Sequence, residues 1–344
     1  MTKKTRYFMG GSAAILVAGL GTGLVAYYGG GFPALSASRS GPSELAYVPA
    51  QSAVVAYANV REVMDSQLRQ RLKLVMPQEH GQKEFQEQTG IDIERDIDYV
   101  VAALASGSQQ ARPLVVARGR FNDTQLEGLI RQHGGTVEDY KGKRLVLAPT
   151  GDHGNHPGLA TDKIVLAFLE PGLVAFGDGA AVRTAIDAQL TSHSITSNNE
   201  MMELVTDIGR NNNAWAVGRF DVLAAQAKLP EQIATRLPAV KWFAAAGHVN
   251  GGVSGSLRAE ARDEASAENL RDVVRGALAL ARMQSQADPR TAGLIDSLQL
   301  TGSGKTVALS FSVPAEILEM IPKMGAPRPP AAPEAPLAPV APIE

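Results

Sequence analysis

Residues 239–261 read AVKWFAAAGHVNGGVSGSLRAEA, and this stretch decides the kind of fold. Asn250-Gly251 is a dipeptide that accepts positive φ at both central positions of a two-residue turn. Strand-forming residues flank it, so 239–249 and 252–261 pair as an antiparallel hairpin. Hairpins of this kind, with helices between them, give antiparallel or mixed sheets rather than a parallel βαβ array.

Working outward, Ser266 reads as the cap of the longest helix, with Leu270, Val273, Val274, Ala277, Leu278 and Ala281 facing inward. Asp288-Pro289 opens a short helix. Residues 298–300 and 306–313 close another hairpin, in which Val307, Leu309, Phe311 and Val313 alternate with small or polar partners. Pro314 starts a last helix, to Ile321. On the other side, 214–220 (AWAVGRF) is a strand and Asp221 caps a helix to Ala227. Ser197 and Glu200 read as a capping box opening a helix through Ile208.

The first half has the same rhythm. Residues 53–60 (AVVAYANV) form a strand, and Val60, Met64, Leu68, Leu72 and Val75 fall on one helical face behind it. Residues 84–89 continue as a short helix closed by Gly90. Residues 97–105 and 113–121 are paired strands around the turn 106–112. Asn122 with Gln125 caps a helix carrying Leu126, Leu129, Ile130 and His133. Residues 144–148, 164–169 and 173–176 are further strands, the last two joined by the tight turn Glu170-Pro171-Gly172. Asp178 caps a helix carrying Val182, Ile186 and Leu190.

Strand, helix, strand, strand, helix, hairpin thus occurs at 53–190 and again at 214–321, an internal duplication offset by roughly 160 residues. Gly119-Arg120-Phe121-Asn122 and Gly218-Arg219-Phe220-Asp221 each end a strand and cap a helix, at different places in the unit. The expected fold class is α+β: two similar halves of mostly antiparallel sheet with helices on one face, at 45–195 and 196–324, preceded by one N-terminal transmembrane helix.

That helix is residues 7–28, YFMGGSAAILVAGLGTGLVAYY, an uncharged run after Lys3, Lys4 and Arg6. About 20 apolar residues cross a hydrocarbon core roughly 30 Å thick. Tyr7, Tyr27 and Tyr28 suit the headgroup level, and the next cation is Arg39. The asymmetry puts residues 1–28 as cytoplasmic stub and anchor in the inner membrane, with the main domain periplasmic. A cleaved secretory signal has a shorter core, and the best cut here, near 34–37, lies beyond the apolar run. Gly10, Ala14 and Ala18, with Thr22 and Ala26, recur every four residues beside the Gly19/Gly23 pair, a face that would let two such helices approach closely in the lipid bilayer, although small residues are also simply common in such segments. Residues 29–44 are a Gly/Ser/Pro tether. Residues 325–344 hold seven prolines and six alanines and form a disordered tail.

The chain of 344 residues has 20% charged residues and a net charge of −2, without the basic excess of a nucleic-acid binder. Zero cysteines excludes disulfides, thiol nucleophiles and zinc–thiolate sites. Gly302-Ser303-Gly304-Lys305-Thr306 ends like a P-loop, but Gln299 occupies the first glycine position and a strand follows instead of a helix. Asp152, His153 and His156 sit in a Gly/Pro-rich loop with no helix to orient them. Asp92, Glu94, Asp96 and Asp98 lack the glycine and terminal glutamate of a calcium loop and read as the solvated side of a turn. Neither Ser303 nor Ser254 makes a G-x-S-x-G elbow. The sequence therefore assigns no catalytic, cofactor-binding or metal residue. A facing carboxylate pair is the one arrangement it leaves open.

Residues 47–60 followed by 85–104, with Thr89-Gly90-Ile91-Asp92 and Arg95-Asp96-Ile97-Asp98, resemble a family of uncharacterised bacterial membrane-anchored envelope proteins. The resemblance implies a non-cytoplasmic domain of unknown function and carries over no site residues. The functional expectation is an anchored extracytoplasmic binding or scaffolding protein with an envelope protein or polymer as partner. The alternatives are an anchored hydrolase acting on an envelope polymer and a lipid or apolar-ligand carrier.

Overall fold

The computed structural model describes residues 42–75, 86–87, 90–105, 113–132, 134–147, 164–209, 211–222, 240–285, 293 and 295–315. The expected span 7–28, nearly all of the tether, the loop holding His153 and His156, and the tail lie outside these residues. Among the described residues no helix is long and apolar enough to cross a membrane.

The protein is α+β, built on a large antiparallel sheet. Twelve strands pair in the order β11-β12-β10-β9-β8-β1-β2-β3-β7-β6-β5-β4. They are β1 (Ser52–Asn59), β2 (Ile97–Ala105), β3 (Pro113–Gly119), β4 (Thr136–Tyr140), β5 (Lys143–Leu147) and β6 (Ile164–Glu170), then β7 (Leu173–Asp178), β8 (Ala214–Arg219), β9 (Val240–Val249), β10 (Gly252–Ala261), β11 (Gln299–Thr301) and β12 (Thr306–Pro314). The helices are α1 (Val60–Asp65), α2 (Gln67–Val75), α3 (Ile93–Asp96), α4 (Asp123–Gln132), α5 (Gly179–Leu190), α6 (Asn199–Ile208) and α7 (Glu264–Ser285).

Helices cover both faces of the sheet, not one as the sequence suggests. On one face Val55, Val101, Val116, Ala175 and Val217 pack under the 3-10 turn Ser43–Tyr47 and under Val182 and Ile186 of α5 and Met201 and Val205 of α6. On the other, Val54, Ala56, Val100 and Ala102 pack against Val60 and Met64 of α1. There too Val146, Phe168 and Val174 meet Leu126 and Ile130 of α4. Neighbouring residues of one strand point to opposite faces, so a strand covered on both sides reads as an unbroken apolar run. That is why AVVAYA in β1 and VVAAL in β2 do not alternate.

The local signals hold with small shifts. Asn122 Oδ1 accepts from Gln125 N at 3.0 Å, and Asp178 Oδ1 accepts from Ala180 N at 2.9 Å, as expected. Asn198, not Ser197, caps α6, accepting from Met201 N at 3.1 Å. Asp263, not Ser266, caps α7, its Oδ1 accepting from Ser266 N at 2.7 Å. The helix expected after Val60 breaks at Ser66, whose hydroxyl accepts from Arg69 N at 3.0 Å. β4 was not anticipated: TVEDY is a half-exposed edge strand, too polar to stand out. Glu44, read as tether, is 3% exposed, and Leu45 and Val48 beside it are fully buried.

Gly119 and Gly218 in the repeated G-R-F tripeptide share a cause. A Cβ on Gly119 would lie 2.0 Å from Asp96 O, and one on Gly218 2.5 Å from Ala53 O. Gly172 closes the β6–β7 turn at φ +72, with a Cβ position 2.7 Å from Gly119 O. Gly142 has φ +77 but open space around it. Alanine in the left-handed region costs about 1–2 kcal/mol. Urea denaturation should therefore show Gly172→Ala less stable than Gly142→Ala, because only the former adds a collision. Equal losses would show that the turn yields freely.

A second test concerns Glu62. Asn59 Nδ2 donates to its carboxylate at 2.7 Å while Asn59 Oδ1 accepts from Glu62 N at 3.2 Å, a reciprocal cap on α1. Burial pushes the Glu62 carboxyl up to about 7, against the Asn59 hydrogen bond that lowers it. A folded pKa above the ordinary 4.5 favours the native state at low pH, and this stability is lost as pH rises from 4.5 through about 7. Glu62→Gln keeps the acceptor and removes the titration. Its stability relative to the parent should rise across that window and level off above it; a difference independent of pH would refute the assignment.

Candidate functional site

Two carboxylates share one cation at the start of the fold. Arg118, on β3, forms an ion pair through Nε with Glu44 and lies 3.7 Å through Nη2 from Glu170. Tyr47 Oη donates to Glu170 Oε1 at 2.8 Å. Burial opposes the Arg118 charge, but Glu44 and Glu170 hold its pKa above the usual value. Both carboxylates face one guanidinium rather than each other across a space for substrate. The cluster is a strut that pins residues 43–48 to the sheet.

The acidic series 92–98 is likewise structural. Asp92 caps α3, accepting from Glu94 N at 3.0 Å. Glu94 pairs with Arg69, Asp98 with Arg61, and Asp96 lies 3.5 Å from Arg120. These residues are an ion-pair belt joining α1, α2 and α3 to β2, not the solvated face expected of them. Among the described residues no three His, Asp or Glu side chains gather as a metal site.

Gly302–Lys305 is the β11–β12 turn, with Gly302 at φ +99 and Gly304 at φ +56, and a strand follows it. Its Gly304 carbonyl accepts from Arg271 Nη2 at 2.5 Å, so the loop is held by α7 rather than open to a phosphate. Ser254 lies within β10, as the sequence implies, with its hydroxyl 3.5 Å from His248 O.

Two open hollows stand out among the described residues. One, of about 490 Å³, lies where β1, β8 and β9 end beside the N-terminus of α6. Four of its five charged side chains, all but Arg262, pair with one another. Glu200 Oε1 accepts from Lys241 Nζ and from Trp242 Nε1, both at 2.8 Å, and the Lys241 bond holds its carboxyl below the usual range. Asp221 is lowered in the same way by Arg219. The other hollow, of about 470 Å³, runs between α7 and β11 and is lined by Arg271, Arg275, Leu278 and Arg282. Those guanidiniums face Glu268, Asp272 and Asp296, which leaves no net charge.

The feature left unpaired is apolar. Five large hydrophobic residues stand out as exposed among the described residues: Leu190 at 51%, Leu257 at 48%, Val273 at 44%, Leu280 at 56% and Met283 at 71%. Leu190, expected in the core, is the last residue of α5. The other four are Leu257 on β10 and Val273, Leu280 and Met283 on α7. Leu257 shares its face of the sheet with Ala259 and Ala261, and Ala261 packs against Ala267 of α7. Val273 and Ala277 were expected to face inward; both are exposed. The sheet here is only partly covered. Leu309 and Phe311 of β12 are half-buried, whereas Val307 under the start of α7 is buried. Sequence reasoning found the apolar positions of α7 but could not tell how many of them the sheet reaches.

No family model matches this chain, and no curated protein matches it. Similar solved structures are described as "Structure of crystal form III of TP0453", "Structure of crystal form I of TP0453" and "Structure of crystal form IV of TP0453". The first gives a TM-score of 0.49 at 10% identity, over 81% of this chain and 97% of that one. The second gives 0.44 at 12%, over 81% and 96%, and the third 0.43 at 10%, over 80% and 95%.

Proposed function

We propose that this chain is a single-pass membrane protein, N-terminus cytoplasmic and sheet domain periplasmic, that binds or scaffolds an envelope partner without catalysis. The observation that carries the binding reading is the exposed apolar stripe of Val273, Leu280 and Met283 along one side of α7, since soluble surfaces rarely leave such residues grouped. The anchor rests on the uncharged run 7–28 and the cations before it. A hydrolase would need two carboxylates facing each other in a cleft. Glu44 and Glu170 are instead bridged by Arg118.

The architecture is best read as two copies of one unit. β1-β2-β3, with β7 and β6 added beside β3, corresponds to β8-β9-β10, with β12 and β11 added beside β10. On that reading α4 corresponds to α7, and the β4–β5 hairpin is an addition to the first copy. The offset is not the constant 160 expected: β8 begins at 214 where β1 begins at 52, but β12 begins at 306 where β7 begins at 173.

Two measurements test the proposal. The intact chain should fractionate with membranes, and protease should remove residues 325–344 in right-side-out but not in inside-out vesicles. Recovery in the soluble cytosolic fraction, or the reverse cleavage pattern, would sink the anchored reading. For the binding reading, a photo-cross-linker at Leu280 should give discrete products in intact cells that one at exposed Asp139 of β4 does not. Identical patterns would remove the case for this surface.

A further inference from the structure

We propose that the hollow beside the N-terminus of α6 is a binding site for an organic monocarboxylate, either free or as the end of a peptide chain. The inference depends neither on the membrane anchor nor on the apolar stripe of α7.

The hollow, of about 490 Å³, is lined by three cations and two carboxylates, a net charge of +1. Arg219 pairs with Asp221, and Lys241 with Glu200. Arg262 is left over. It is exposed just beyond β10, and its side chain forms no ion pair among the described residues. Asp263, next to it in the chain, is engaged as the cap of α7. A guanidinium on a concave wall, with no carboxylate of its own, presents a planar fork that matches an incoming carboxylate.

A second, independent group points the same way. Ser52, at the start of β1, lines the hollow and is 6% exposed. Among the described residues its hydroxyl has no hydrogen-bond partner. Buried hydroxyls are nearly always hydrogen-bonded, because an unmet one gives up water without replacement. A ligand oxygen in the hollow would meet it. The helix end adds to this. Asn198 Oδ1 accepts from Met201 N at 3.1 Å, which leaves the amides of Asn199 and Glu200 without an acceptor in α6. Those N–H groups and the dipole of a ten-residue helix favour an anion here.

The walls narrow the class. Ala50, Val240 and Trp242 give the hollow an apolar side, and the Trp242 Nε1 donor is already held by Glu200. The body of the ligand therefore needs no polar group there. One unmatched positive charge balances one negative charge. A phosphate monoester carries nearly two at neutral pH, and the second would lie against Glu200 and Asp221 with no cation left to offset it.

The test is calorimetric titration of the full-length chain in lipid nanodiscs at neutral pH. The probes are N-acetylalanine, N-acetyl-trialanine, their C-terminal amides and inorganic phosphate. Both acids should bind, each about tenfold tighter than its amide. Tighter binding of the tripeptide assigns the site to a peptide end; equal affinities assign it to a small free acid. Arg262→Gln should weaken the acids about tenfold with melting unchanged, because the side chain is exposed. Ser52→Ala should weaken them about threefold without lowering the melting temperature of the free chain. A purely structural serine would do the reverse. Glu200→Gln keeps an acceptor for Trp242 and frees Lys241, so the acids should bind more tightly. Failure of both acids to bind, equal affinity for acid and amide, tighter binding of phosphate, or unchanged affinity in Arg262→Gln would overturn the proposal. So would weaker binding in Glu200→Gln.

Discussion

Everything in this structure depends on one antiparallel contact, between β1 and β8. Five residue pairs, from Val54–Gly218 to Ala58–Ala214, join the two parts of the chain into one sheet. The junction is tight. Tyr57 stacks on Trp215 across it at 5.6 Å and on Tyr99 at 6.2 Å. Gly218 must lack a side chain because the carbonyl of Ala53 lies where its Cβ would be. β1 is hydrogen-bonded on both edges and covered on both faces, so neither part of the chain completes a core without the other. The largest buried cluster draws Val101 and Leu173 from one part and Trp215, Val217 and Trp242 from the other.

Because the junction is central, the ends of the sheet are where cover runs out, and they run out differently. At the β4 end, α4 is ten residues long and its Leu126 is buried. At the β11 end, a 22-residue helix lies beside a three-residue edge strand. A longer helix against a narrower surface must leave part of its apolar arc uncovered, and Val273, Leu280 and Met283 are that part. The opposite face of β10 and β12 carries Ser254, Ser256, Ser310 and Ser312 and needs no cover. The unpaired apolar surface thus follows from a mismatch of lengths, not from a cavity.

Many of the charged groups are engaged with one another or with helix ends. Glu44, Glu94, Asp98, Glu200 and Asp221 each hold a cation or cap a helix. Groups so engaged fix the geometry of turns and helix ends, and that includes the residues whose spacing invited a functional reading.

The sequence by itself determined the elements that rest on neighbours along the chain. The hairpin expected around Asn250-Gly251 forms, though Val249 pairs with Val253 across a three-residue loop and neither Asn250 nor Gly251 takes a positive φ; Asn122 and Asp178 cap their helices, and β2 lies where its apolar run lies. Only the tertiary structure decided which faces are covered and by what. An unbroken apolar run in β1 records burial on both sides without naming the helices above and below. The apolar arc of α7 records that a partner is needed without giving its width. The pairing of Glu94 with Arg69 or Glu44 with Arg118 was equally invisible, because those partners meet only after the strands between them have aligned. Local geometry is set by residues a few places apart; facing is set by residues a hundred places apart, and no periodicity encodes that distance.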